Sequence, residues 1–258
     1  GLARRPAFIY SLARNESKNR RDVRALPKVT QPTPGEGTLA EAAAGMSAGS
    51  VSASQLVQQA LDTIEAKDKE LNAFVHVAPT ASLMEQATAL DKERAAGKLR
   101  GPLHGIPVSV KDIVHVKGMP TTASSKVMAG YMPDEDGTPV RLLKEAGAIV
   151  MGKTHTHEFA LGVTTSQSRN PWDTTRDPGG SSGGSAISIA TGMSMLSLGT
   201  DTRASIRVPA SLCGIVGYKP TFGLVSTDGI VTLSWSMDHA GLQAKTAQDV
   251  AHMMNALQ

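Results

Sequence analysis

Thr138-Pro139-Val140-Arg141-Leu142-Leu143-Lys144-Glu145-Ala146-Gly147-Ala148-Ile149-Val150-Met151 decides the fold. Thr138 is a cap, Pro139 suits the first helical position, and Val140, Leu143 and Ala146 make one buried stripe. Gly147 ends the helix, and the apolar run Ala148–Met151 follows as a strand. A helix leading directly into a buried strand is half of a βαβ repeat, and the same alternation extends on both sides. Upstream, Ile106–Val110 reads as a short buried strand ending at Lys111-Asp112. Downstream, Ser182–Ala190 reads as a helix entered through a Gly/Ser loop, and Met195–Leu198 as another buried strand. Two earlier helices are predicted. One runs from Ser54 through Leu56, Val57, Ala60, Leu61 and Ile64 behind a Ser cap. The other runs from Thr80 to Ala96 through Leu83, Ala87, Leu90 and Arg94, with Gly97 as its stop. Thr246-Ala247-Gln248-Asp249 reads as a capping box opening a final helix with Val250, Met253, Met254 and Leu257. Strands alternating with helices imply an α/β/α sandwich on a mixed, largely parallel sheet.

Composition narrows the function. The 258 residues carry 26 Lys and Arg against 23 Asp and Glu, a net charge of +3, too small an excess to demand a polyanionic partner. Residues 1–37 lack a sustained period and read as an arm or linker, leaving 38–258 as the folded domain. The arm holds Arg4, Arg5, Arg14, Lys18, Arg20, Arg21, Arg24 and Lys28 among prolines and polar residues, which fits a solvated segment better than a nucleic-acid tail. Four Phe, three Tyr and two Trp are too few for base-stacking platforms. The lone Cys213 excludes an internal disulfide framework or a cysteine zinc site and reads as buried filler. No apolar run approaches the roughly 20 residues of a membrane helix. The expectation is a cytoplasmic protein without a membrane partner.

Three segments carry candidate chemistry. They are Gly101–Asp112, ending Pro107-Val108-Ser109-Val110-Lys111-Asp112; Gly179-Gly180-Ser181-Ser182-Gly183-Gly184-Ser185; and Gly199-Thr200-Asp201-Thr202-Arg203-Ala204-Ser205-Ile206-Arg207-Val208-Pro209-Ala210. Each is ambiguous alone. The Gly/Ser loop reads as an anion cradle or as a flexible loop, and it is not a P-loop because no Gly-Lys-Ser/Thr closes it. Lys111 reads as a neutral base at the end of a buried strand or as a surface lysine paired with Asp112. Ser205 reads as an exposed nucleophile or as an ordinary loop serine. His155-Thr156-His157-Glu158 offers two histidines on one side of a strand but no third ligand at useful spacing, so no metal is expected there.

Together, in this order, the three segments resemble the amidase signature family, and the resemblance runs from about Ala40 to the C-terminus. It includes Leu71-Asn72-Ala73-Phe74-Val75 and Gly152-Lys153-Thr154. The resemblance implies an amide hydrolase with a Ser-Ser-Lys triad and no cofactor: Ser205 as nucleophile, Ser181 as bridging serine after a cis peptide, and Lys111 as terminal base. It implies oxyanion donors from the backbone of Thr202, Arg203, Ala204 and Ser205, with Asp201 and Arg207 as supports. It also implies family chains that continue past Gln258, so that a C-terminal part is lacking here. This chain departs from the family at Arg203-Ala204, where Gly-Gly is common. Main-chain N–H groups survive that change, whereas Cβ atoms disfavour positive φ and crowd the pocket. Arg203 meets an anionic substrate group or points to solvent. The expected partner is a small-molecule amide, with a homodimer or a completing chain as further expectations. Two alternatives stand beside hydrolysis: the amidase subunit of a tRNA-dependent amidotransferase, and an inactive fragment or scaffolding module that keeps the motifs.

Overall fold

A computed structural model describes residues 37–258. The arm expected at the N-terminus therefore lies, up to residue 36, outside the described residues. Six strands form one sheet: β1 (Phe74–Val77), β2 (Pro107–Lys111), β3 (Ile149–Thr154), β4 (Leu196–Asp201), β5 (Val216–Tyr218) and β6 (His239–Ala244). Their order is β1-β3-β2-β4-β6-β5. The three central strands are parallel, with β2 between β3 and β4. The outer strands run antiparallel, β1 on β3 and the β6–β5 pair on β4. The parallel centre is what buries β2, β3 and β4 along their whole lengths.

Seven α-helices flank this sheet among the described residues: α1 (Leu39–Ala48), α2 (Ala53–Leu71), α3 (Thr80–Ala95), α4 (Thr138–Glu145), α5 (Gly183–Thr191), α6 (Arg207–Cys213) and α7 (Ala247–Asn255). α5 packs across β2, β3, β4 and β6, and α7 packs on β4, β5 and β6. The core is aliphatic and centres on Val108, Val110, Ile149, Leu196, Leu198 and Leu242.

Several sequence expectations shift by a residue or two for local reasons. α2 begins at Ala53 because Ser52, not Ser54, forms the capping box with Gln55. Ser54 is held by the Asp91 carboxylate of α3, which accepts from its hydroxyl at 2.6 Å and from the Ala53 N–H at 2.7 Å. α4 starts after Gly137, which takes the N-cap place predicted for Thr138; the Thr138 hydroxyl donates instead to Asp228 at 2.7 Å. At α7 only half of the predicted box is made. Thr246 accepts from the Asp249 N–H, while the Asp249 carboxylate caps Ala40 in the first turn of α1 at 3.3 Å. α1 itself has no strong sequence period. Its start is set by the Thr38–Glu41 capping box and its end by Gly49 in the left-handed region at φ +75°.

Candidate functional site

Parallel strands bring their C-terminal ends to the same edge of the sheet, the edge where α/β folds place their sites. Lys111 is the last residue of β2 and Asp201 the last of β4. The Gly/Ser loop before α5 and the turn from Thr202 to Ile206 before α6 arrive at the same edge. Lys111 is fully buried, and its Nζ donates to Ser181 Oγ at 2.7 Å and to Thr200 Oγ1 at 2.8 Å. It makes no ion pair among the described residues. Burial pushes its pKa down to about 7, against the opposing pull of the Asp201 and Asp238 carboxylates. The surface pairing of Lys111 with Asp112 does not occur. Asp112 turns instead to Lys153, a second fully buried lysine at the end of β3, at 3.1 Å.

Ser181 is fixed by its backbone. The Gly180–Ser181 peptide is cis. The Ser181 carbonyl accepts from the His157 N–H at 3.1 Å, and the Gly183 N–H donates to Thr165 Oγ1 at 3.2 Å. The loop is packed closely against other segments. A Cβ on Gly180 would stand 2.1 Å from the Thr164 carbonyl oxygen, and one on Gly184 would stand 2.3 Å from the Ala73 carbonyl oxygen. Both glycines are there because backbone from elsewhere occupies the space a side chain needs.

The turn carrying Ser205 is held from two sides. The buried Asp201 carboxylate accepts from the Ala204 N–H at 2.8 Å and the Ile206 N–H at 3.2 Å. It also takes both forks of Arg207, from Nε at 2.9 Å and Nη2 at 3.0 Å. Burial alone raises the Asp201 carboxyl, but these donors outweigh it and hold the group below its ordinary range. On the other side, Thr202 Oγ1 donates to Asp238 Oδ1 at 2.5 Å, and Asp238 Oδ2 accepts from Leu233 N at 2.8 Å and Ser234 N at 3.0 Å. Between these anchors Ala204 sits at φ +68°, the left-handed conformation that glycine adopts more readily. The alanine keeps the backbone path and carries the strain. Of the four amides expected to face an oxyanion, the Ala204 N–H is already bound to Asp201. The N–H groups of Thr202, Arg203 and Ser205 have no acceptor among the described residues.

Ser205 is tied to the Gly/Ser loop through its carbonyl, which accepts from the Ser182 N–H at 3.1 Å. Its hydroxyl makes no hydrogen bond to the described residues, so the Ser181 and Ser205 side chains are not yet joined. Ser205 lines a cleft of about 350 Å³ with Thr202, Arg203, Leu233 and the wall Ala160-Leu161-Gly162-Val163.

The other sequence candidates lie elsewhere in chemistry. His157 Nδ1 faces the Thr164 carbonyl at 3.0 Å, and His155 Nδ1 faces Ser124 Oγ at 3.3 Å. Cys213 is buried, and desolvation pushes its thiol up to about 12, as expected of packing sulfur.

Two residues escaped the sequence reading. Thr200 lay inside a quoted segment, but its hydroxyl gains meaning only when β4 is set beside β2. Asp238 is 36 residues from Thr202 and gave no local signal at all.

The α/β fold thus brings a buried lysine, two serines and an anchored turn together at the C-terminal edge of its parallel strands. The chain belongs to the amidase family, whose model matches residues 55–258. It is 48% identical over 217 residues to a glutamyl-tRNA(Gln) amidotransferase subunit of Rhodopirellula baltica, a match covering 82% of this chain and 43% of that protein. The native peptide amidase of Stenotrophomonas maltophilia superposes with a TM-score of 0.82 at 39% identity, covering 87% of this chain and 48% of that one. The corresponding glutamyl-tRNA(Gln) amidotransferase subunit of Thermotoga maritima superposes with a TM-score of 0.73 at 38% identity, covering 85% and 46%. The chain thus spans about half the length of the relatives it matches. Among the described residues, no helix is long and apolar enough to cross a membrane.

Proposed function

We propose that this chain carries the acyl-transfer centre of an amide hydrolase. The observation that carries this reading is Lys111 Nζ, 2.7 Å from Ser181 Oγ, buried and without a carboxylate partner. With a pKa of about 7, much of this amine is neutral near pH 7 and has a lone pair to accept a proton. Both hydroxyl neighbours, Ser181 and Thr200, accept from the amine in this arrangement, so the relay also requires the Ser181 hydroxyl to turn its proton towards Nζ. In the proposed step Ser205 Oγ attacks the amide carbon, Ser181 takes the Ser205 proton, and Lys111 takes the proton of Ser181. This requires the Ser205 side chain to turn towards Ser181, a tightening common on substrate binding. The C–N bond then breaks, the amine leaves with a proton returned along the same relay, and water cleaves the resulting ester. The free N–H groups of Thr202, Arg203 and Ser205 are the proposed oxyanion donors; each such donor contributes roughly 3 kcal/mol. Asp201 and Arg207 hold that turn in shape.

A second reading is favoured by the relatives themselves: several are named as glutamyl-tRNA(Gln) amidotransferase subunits. In that reading the same centre releases ammonia for use by a partner protein. Both readings leave room for a completing chain, since the matched relatives are about twice as long.

The test is labelling with a fluorophosphonate followed by peptide mapping. The proposal expects label on Ser205, lost in Ser205→Ala and strongly slowed in Lys111→Met. An unlabelled Ser205 in the folded protein would support instead a module that keeps the motifs without turnover.

A further inference from the structure

We infer that Arg203 makes the Ser205 cleft selective for amides that carry a carboxylate a few bonds from the scissile carbonyl, an inference that rests on the acyl-transfer reading above. Among the described residues, Arg203 is the only charged one lining that cleft, whose remaining wall is largely apolar, from Ala160, Leu161, Val163 and Leu233. It is exposed and makes no ion pair or hydrogen bond through its side chain among the described residues. The contrast with Arg207 is direct. Arg207 is four residues on, and its guanidinium is committed to Asp201 by two bonds.

The residues on either side of Arg203 are fixed, Thr202 by Asp238 and Ala204 by Asp201. The backbone is thus held rigid where the arginine leaves it. A guanidinium on a rigid mount, beside apolar walls and with no internal anion, is suited to a bidentate carboxylate. Arg203 and Ser205 are two residues apart, so their Cα atoms are separated by at most about 7 Å. Both line the same cleft, so a carboxylate on the guanidinium and a carbonyl over Ser205 can belong to one short-chain dicarboxylic acid whose second carboxyl group is the amide. The chemistry is balanced: the amide C–N bond breaks, a Ser205 ester forms, and water releases the dicarboxylate and the amine.

Succinamate and its neutral methyl ester serve as probes, each titrated as a protectant against fluorophosphonate labelling of Ser205. Succinamate is expected to give half-protection at a concentration at least about tenfold below that of the ester. Arg203→Gln is expected to bring the two within about twofold of each other, and Arg203→Lys to keep an intermediate preference, because lysine retains charge but not the fork. Equal protection in the native protein, or a preference that survives Arg203→Gln, overturns the inference while leaving the labelled nucleophile in place. Failure of Ser205 to label in the native protein overturns the acyl-transfer reading and this inference with it.

Discussion

Lys111 and Lys153 sit at the ends of neighbouring parallel strands, both fully buried, yet they meet different surroundings. Lys153 has the Asp112 carboxylate at 3.1 Å, with Thr121 Oγ1 and the Pro120 carbonyl completing its shell. Among the described residues, the Lys111 amine hydrogen-bonds to hydroxyls only. Burial lowers both amines, but the carboxylate pulls Lys153 back to about 8, whereas Lys111 is left at about 7. The difference separates a lysine held by a counter-ion from one that the proposed relay uses as its base. Both are desolvated by burial, and among the described residues only Lys153 has a carboxylate within ion-pair distance.

The largest effect expected from this contrast is on chemistry. Ser205→Ala and Lys111→Met should each lower turnover of any accepted amide by about three orders of magnitude or more, measured by ammonia or amine release. Turnover of Lys153→Met at native rate per folded molecule, with Lys111→Met likewise active, would erase the distinction between the two lysines.

Stability should show the reverse pattern. Lys153→Met strands the buried Asp112 carboxylate and should cost about 3–5 kcal/mol in chemical denaturation. Lys111→Met removes a desolvated amine and strands no charge, so its cost should stay below about 2 kcal/mol.

The pH profile sharpens the same point. A base must be neutral to act, so the rate of Ser205 labelling should rise about tenfold per pH unit below pH 7. It should level off above that value, as Lys111 loses its proton. A profile flat between pH 5.5 and 8.5 would remove Lys111 from the step.

The smallest effect concerns the strained turn. Ala204→Gly relieves a left-handed alanine but gives the unfolded chain more freedom. A net stabilisation of about 0.5–1 kcal/mol is expected in thermal or denaturant unfolding.

Local signals made most of the fold legible. The helix–strand pair from Thr138 to Met151 needed nothing beyond proline at the helix start, glycine at its end and an apolar run. What went unread was settled by distant partners. Asp249 looks like half of a capping box, but its carboxylate caps α1, more than 200 residues away in sequence. Ser54 looks like a cap, yet Asp91 on the neighbouring helix claims it. The site followed the same rule. Lys111 and Ser181 were readable as motif members, and their 2.7 Å contact agrees with that reading. The pairing of Asp112 with Lys153, the role of Thr200 and the Asp238 anchor depend on which strands become neighbours. The occupation of the Ala204 N–H by Asp201 likewise has no trace in spacing alone.

The glycines around Ser181 have a consequence for anyone scanning this chain by mutation. Gly180 and Gly184 hold no reactive atom, yet each position is filled to contact by a carbonyl from another segment. On the proposed reading, replacement there should abolish turnover as thoroughly as Ser205→Ala, by displacing backbone rather than by removing a reagent. A map of intolerance will therefore mark silhouettes as well as reagents, and only a chemical probe will tell the two apart.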